Sequence, residues 1–138
     1  MIDLTRRYQF SASHRLHSDL LSEEANRELY GKCNNPYGHG HNYEVEVTVS
    51  GPVDERTGRV VDIADLDELV RRQITGPFEH RNLNEEVPEF QRLVPTTENL
   101  SVIIDKRLRE AWLTAFPENQ PVLKRVRINE TARNIFEI

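Results

Sequence analysis

The chain has 138 residues, of which 37% are hydrophobic and 30% charged, with a formal net charge of −5. That length suits a single domain, taken as 1–138, with a real core, and the acidic balance gives a nucleic-acid partner no electrostatic support. No apolar run approaches the ~20 residues that cross a bilayer and Met1 to Arg7 lacks the apolar stretch of a signal peptide, so a soluble, cytoplasmic protein with no membrane partner is expected.

In chain order, residues 4–13 read as a first strand, alternating through Tyr8, Phe10 and Ala12, and His14 follows directly. Residues 22–29 suggest a short helix inside a polar excursion. Gly31-Lys32-Cys33-Asn34-Asn35-Pro36 is a polar turn sequence, which leaves the single cysteine at least partly accessible and without a disulfide partner. His39-Gly40-His41 then stands at the entrance of a strand over 43–50, where Tyr43, Val45, Val47 and Val49 alternate with Glu44, Glu46, Thr48 and Ser50. Alternate residues of an extended segment point the same way, so His39 and His41 can serve one ligand. Taken singly, His-Gly-His reads as a solvated turn and His14 as a partly buried imidazole. Together the three imidazoles make a full protein ligand set for a catalytic zinc with one position open. Cys33, by default a small inert residue, would beside a cation become a base or nucleophile.

Beyond Gly51-Pro52, residues 54–58 read as a turn and 60–63 as a short extended piece. Ile63, Leu66, Leu69, Val70 and Ile74 recur at helical spacing until Gly76-Pro77 stops them. Glu79-His80-Arg81-Asn82-Leu83 is a loop in which a solvated pair is the ordinary reading and a general base or relay at His80 the functional one. Adjacent side chains seldom face each other, so Glu79 is not required as the partner of His80. A second helix starts at Thr97 as N-cap and buries Leu100, Ile103, Ile104, Leu108, Ala111, Trp112 and Ala115, with Pro117 after its end. Residues 123–130 alternate as a third long strand and 134–138 form a fourth. Glu130, at the end of the third, is either a surface charge or a carboxylate accepting paired N–H donors. The expected fold is α+β: a four-stranded antiparallel sheet with both helices on one face. Its other face favours an oligomer.

Phe10-Ser-Ala-Ser-His14-Arg-Leu, Gly31-Lys-Cys33-Asn-Asn-Pro, Gly38-His39-Gly-His41-Asn-Tyr, Glu79-His80-Arg-Asn-Leu83, Pro95-Thr-Thr-Glu-Asn99 and Glu130-Thr resemble, in the same order and over essentially the whole chain, the 6-pyruvoyl tetrahydropterin synthase family. The five residues between Cys33 and His39 look like the true synthases; the related 6-carboxytetrahydropterin synthases of queuosine biosynthesis typically have fewer. The resemblance implies a tunnelling fold, whose subunit sheets join into a trimeric barrel that stacks as a homohexamer with active sites between subunits. It also implies a zinc lyase of tetrahydrobiopterin biosynthesis that converts 7,8-dihydroneopterin triphosphate to 6-pyruvoyl tetrahydropterin and releases triphosphate. By that likeness His14, His39 and His41 hold Zn2+, Cys33 is the proton-abstracting base, and His80 with Glu79 forms a relay. Glu130 anchors the pterin, and Thr96, Thr97 and Glu98 line its pocket. The family commonly has Asp where this chain has Glu79. Arg15, His17 and Lys32 are basic residues near the motifs and candidates for the triphosphate. The alternatives are a 6-carboxytetrahydropterin synthase and a non-catalytic zinc- and pterin-binding module; a module needs neither Cys33 nor His80.

Overall fold

In the computed structural model, which describes residues 1–138, β1 (Ile2–His14) and β2 (His39–Gly51) form one long antiparallel ladder. Ile2 lies opposite Gly51, Phe10 opposite Tyr43 and His14 opposite His39. The strand period of two sends Phe10, Tyr43, Val45, Val47 and Val49 to one buried face. β4 (Val122–Asn129) pairs antiparallel with the far side of β2, placing Ile128 beside Val45 and Val126 beside Val47. α2 (Ile63–Val70) and α5 (Thr97–Ala115) cover this face, burying Leu66, Val70, Leu100, Ile104 and Leu108 completely. Both helices thus lie on one side of the sheet, as the apolar stripes require.

The sheet has five strands and is mixed, where four antiparallel strands were expected. β5 (Ile135–Glu137) pairs with β4, and β3 (Arg81–Asn82) runs parallel to the end of β1, giving the order β3-β1-β2-β4-β5. Two residues are too few to show an alternation, so β3 left no periodic signal. It is fixed by the backbone: the His80 N–H donates to the Ser11 carbonyl at 2.6 Å. Asn82 then turns the chain, its Oδ1 accepting from the Asn84 N–H at the start of the short α4 (Leu83–Glu86).

Three local readings also change. Residues 60–63 form no strand; Asp62 instead caps α2 by accepting from the Ala64 and Asp65 N–H groups. The N-cap of α5 is Thr96, whose Oγ1 accepts from the Asn99 N–H, and Thr97 is the first helical residue. Gly76-Pro77 does not end the α2 helix. After Val70 the chain makes a π-turn (Arg71–Thr75) and continues as α3 (Gly76–Phe78), with Pro77 inside the continuous helix; the Gln73 carbonyl, four residues before it, accepts from Arg107 instead. The Gly76 N–H donates to the Arg71 carbonyl, and a Cβ on Gly76 would lie 2.6 Å from that oxygen. Only glycine leaves room for this wide turn. It carries Phe78 into the core against Phe10, with ring centroids 5.5 Å apart.

Arg107 of α5 ties this region down. Its guanidinium donates to both oxygens of Glu89 at 2.7 Å, donates to the Gln73 carbonyl at 3.3 Å, and sits 4.8 Å from the centre of the Phe78 ring. Hydrogen bonding to Arg107 holds the Glu89 carboxyl below its ordinary pKa. No helix is long and apolar enough to cross a membrane. The uncovered sheet face is polar: Thr5 bonds Thr48 at 2.7 Å, and the Asn129 amide donates to Glu44 and Glu46 at 2.8 Å each.

Replacing Gly76 by Ala should therefore destabilise the fold by about 1–3 kcal/mol through forced overpacking, read as a lower urea midpoint; an unchanged midpoint would mean that the turn relaxes freely. Glu89→Gln should cost stability at neutral pH. Because the folded pKa of Glu89 is depressed, its contribution is present above the unfolded carboxylate value of about 4.3 and fades as pH falls through the folded value. The urea midpoints of the parent and Glu89→Gln should accordingly converge in acid.

Candidate active site and metal centre

The end of the β1–β2 ladder assembles the site. His14 is the last residue of β1 and faces His39, while His41 lies two residues further along β2 on the same side. Their ring centroids are separated by 5.2 Å (His14–His39), 4.6 Å (His14–His41) and 4.3 Å (His39–His41). The two β2 histidines are part of the strand, not its approach. Cys33 enters from the 3₁₀ turn Gly31–Asn34, which is tied to the chain after β1 because the Leu16 N–H donates to the Cys33 carbonyl at 2.7 Å. Its Sγ lies 3.0 Å from His39 Nε2. Gly38, with φ +72°, closes this loop against β1, where a Cβ would meet the His14 carbonyl oxygen at 2.9 Å.

One atom from each of His14, Cys33, His39 and His41 falls within 4.8 Å of the others. The Pro95 carbonyl lies 3.0 Å from His14 Nδ1 and can only accept, so the ring proton sits on Nδ1. Tyr43 Oη flanks the same nitrogen at 3.2 Å. That leaves the lone pair of His14 Nε2 pointing inward, buried and without a partner, and His41 Nε2 is equally buried and unpartnered. Two orphaned nitrogens converging in one place are costly unless a ligand satisfies them. Burial, with His41 and His39 nearby, pushes the His14 pKa down to about 4, and burial lowers that of His41 as well. Neutral imidazoles and a thiol are a metal-binding donor set, so these residues fit a metal ion.

Glu130 follows β4 directly and lies on the other side of the cluster, its Oε1 3.9 Å from His41 Nε2. It borders a cavity of about 790 Å³ together with Phe10, Tyr43, Glu79 and Asn129. Burial first, then the Glu130 charge, pushes the Cys33 thiol up, so without a nearby cation it stays protonated at neutral pH. Glu79 and His80 do face each other, contrary to expectation for neighbours: Oε1 lies 2.9 Å from His80 Nε2. The left-handed backbone of His80 (φ 55°) folds its ring back over Glu79. The same Glu79 oxygen accepts from the Ser11 N–H at 3.4 Å. The His80 side chain is 81% exposed and pairs within the chain with Glu79 and not with Cys33.

Of the segment 96–98, Thr96 caps α5, Thr97 Oγ1 is buried without a partner, and Glu98 is exposed. Pro95, just before them, meets His14 through its carbonyl, and none of the three borders the cavity that Glu130 borders. Sequence reasoning missed Tyr43 and Pro95 as supports of His14. Tyr43 had a signal, since the alternation that aligns His39 and His41 continues into it; a main-chain carbonyl had none.

Residues 3–138 match the family described as 6-pyruvoyl tetrahydropterin synthase. The chain belongs to that family. It is 49% identical over 132 residues to a 6-pyruvoyl tetrahydrobiopterin synthase of Poecilia reticulata, covering 96% of this chain and 86% of the relative. The corresponding protein of Homo sapiens is 47% identical over 132 residues, with 96% and 87% covered. A putative 6-carboxy-5,6,7,8-tetrahydropterin synthase of Archaeoglobus fulgidus is 36% identical over 100 residues, covering 72% and 74%. The solved 6-pyruvoyl tetrahydropterin synthase of Caenorhabditis elegans superposes with a TM-score of 0.89 at 39% identity, covering 99% of this chain and 94% of that one. The 6-pyruvoyl synthases among these relatives are lyases, and their names fit tetrahydrobiopterin synthesis.

His14→Ala should hold well below one equivalent of metal after equilibration with Zn2+, measured by elemental analysis. Tyr43→Phe, which removes only a group supporting His14, should lower metal affinity by about tenfold. Full occupancy in His14→Ala would place the metal elsewhere.

Proposed function

We propose that this family member is a zinc-dependent 6-pyruvoyl tetrahydropterin synthase, converting 7,8-dihydroneopterin triphosphate to 6-pyruvoyl tetrahydropterin with release of triphosphate. The observation that carries the reading is the convergence of the buried, unpartnered Nε2 atoms of His14 and His41 with His39 and a single thiol, beside the cavity bordered by Glu130. Three histidines are a common protein set for catalytic zinc. When bound, the ion supplies Lewis-acid stabilisation of negative charge developing on the substrate side-chain oxygens.

The chain's own residues divide the remaining work. Glu130 accepts the adjacent N–H donors of the pterin amino-pyrimidinone edge, and two parallel charge-assisted bonds fix orientation as well as binding. The cavity volume suits a ligand of that size. Cys33 Sγ takes the proton from the side-chain carbon next to a hydroxyl, its thiolate favoured by a cation held by the three neutral histidines. Glu79 Oε1, 2.9 Å from His80 Nε2, pairs with that nitrogen and leaves Nδ1 as the atom that exchanges a proton. Hydrogens are redistributed within the substrate and triphosphate departs, so no external oxidant is consumed. The longer Glu79, in place of the usual Asp, still reaches both His80 and the Ser11 N–H.

The reading includes a homohexamer, a dimer of trimers built as a tunnelling-fold barrel, with His80 of one subunit meeting Cys33 of another and Thr96–Glu98 completing a neighbour's pterin pocket. Support comes from the exposed His80 ring, the uncovered polar sheet face, and β1, whose outer edge is paired by β3 only at Ala12 and Ser13. Unpaired strand edges are templates for further pairing. A cytoplasmic location is supported by the free thiol of Cys33.

Mass identification of the product from zinc-loaded protein tests the reaction; 6-carboxytetrahydropterin as the product would replace this reading. Cys33→Ala should keep zinc and pterin binding while turnover falls by about 10²–10⁴. Near-native turnover there would make the thiol structural. Inactive Cys33→Ala and His80→Ala assemblies, unfolded and refolded together in equal amounts, should regain about a quarter of sites if subunits mix at random. No recovery despite subunit exchange would put both groups on one chain.

A further inference from the structure

A second polar cavity of about 350 Å³ lies one residue along the chain from His14 and from Cys33, bordered by Arg15, His17, Arg27, Asn34, Glu23 and Pro36. We infer that this cavity binds the polyphosphate chain of the substrate, with Arg15 as its main anchor and His17 and Arg27 as further donors. The inference rests on the reaction proposed above and assigns one end of the same substrate.

Arg15 is held rigidly and left partly unused. Its N–H donates to Asn84 Oδ1 at 2.7 Å, its carbonyl accepts from Asn84 Nδ2 at 2.9 Å, and its Nε donates to the Asn34 carbonyl at 3.1 Å. The terminal nitrogens of the guanidinium have no partner, whereas Arg6, Arg71, Arg107 and Arg109 each bind a carboxylate at 2.6–3.0 Å. A pre-positioned fork with two free ends is the geometry that binds phosphate in bidentate fashion. Arg27, exposed on α1 (Glu23–Tyr30), also lacks a carboxylate partner. Buried Asn34 donates from Nδ2 to the Leu16 carbonyl at 2.7 Å and to His17 Nδ1 at 3.1 Å. Nδ1 of His17 must therefore accept, and its proton sits on Nε2, 3.6 Å from exposed Asp19. Two guanidiniums face one carboxylate, Glu23, in a chain whose net charge is −5. Lys32, a basic residue close by in sequence, does not border the cavity.

Position argues as strongly as charge. Glu130 follows β4, His39 and His41 lie on the central β2 and His14 ends β1, and Arg15 follows His14 along the chain beyond the sheet. The carboxylate for the ring and the cationic end thus border separate cavities, one with Glu130 and the other with Arg15, and the histidine cluster adjoins both residues, in space or along the chain. The peptide bonds His14–Arg15 and Cys33–Asn34 join the cationic end directly to the centre.

Inorganic tripolyphosphate is the probe, titrated calorimetrically into the zinc-loaded assembly, with metal content measured after each titration so that chelation is not counted as binding. Losing a charge-assisted contact should weaken tripolyphosphate binding roughly ten- to a hundredfold in Arg15→Gln and about tenfold in the charge-reversed Arg27→Glu. KM for dihydroneopterin triphosphate should rise by similar factors, with kcat changing far less. Binding of neopterin, which has no phosphate, should stay at the parental value in both variants and reports an intact pterin end. Arg27 makes no side-chain contact that folding needs, so its variant decides the matter if Arg15→Gln fails to assemble. Parental tripolyphosphate affinity and KM in Arg27→Glu and in a folded Arg15→Gln would overturn the subsite while leaving the proposed reaction standing. A product other than 6-pyruvoyl tetrahydropterin would overturn the reaction, whatever the arginines bind.

Discussion

The register of a single strand pair governs the molecule. Placing His14 opposite His39 sets every other position along β1 and β2, from the Phe10–Tyr43 pair to Ile2 against Gly51. A slip of one residue would turn the whole apolar row toward solvent and the imidazoles away from one another. Core burial and the chemistry of the site are therefore enforced together. The core residues Tyr43, Val45, Val47 and Val49 hold the register, and the histidines at the ladder's end inherit it.

Around that end the chain spends polar groups on orientation. His14 is aimed by the Pro95 carbonyl and Tyr43, so its tautomer is chosen by the approach to α5. Thr96 caps that helix one residue later. The Cys33 turn is fastened to the residues after β1 through Leu16 and Asn34. These supports come from segments remote in sequence, and each fixes a direction more than it adds stability, since one hydrogen bond contributes only about 1 kcal/mol net.

Much of this was legible beforehand, for identifiable reasons. Tyr43 to Ser50 alternates cleanly, α5 carries its apolar stripe over five turns, and His39 and His41 sit at strand spacing, so these elements follow from period alone. His14 and Cys33 joined that pair on donor chemistry, and collinear resemblance decided for them and added Glu130; no local pattern brings together residues so far apart. β3 escaped because two residues have no period. Gly76-Pro77 misled because the pair usually ends helices, and only the wide turn before it makes proline tolerable. Glu79 facing His80 depends on one positive φ at a non-glycine residue, which sequence does not announce. Arg27 has no motif around it to mark it, and only the fold sets it at the same cavity as Arg15.

The π-turn before Phe78 has a consequence for how this chain tolerates change in length. A wide turn is an α-helix with one residue added, and each residue of an α-helix advances the direction of the chain by about 100°. Removing a residue from Arg71–Thr75 would restore regular winding and rotate everything downstream until the next flexible joint. Glu79 and His80 come next, and their place along β1 is held by the His80 N–H on the Ser11 carbonyl, the Ser11 N–H on the Glu79 carboxylate and the short β3 pairing that follows. A deletion in a helix distant from the histidine cluster would thus re-aim Glu79, which borders the cavity beside Glu130, and the His80 ring paired with it. Substitutions at exposed positions of the same turn would leave them where they are.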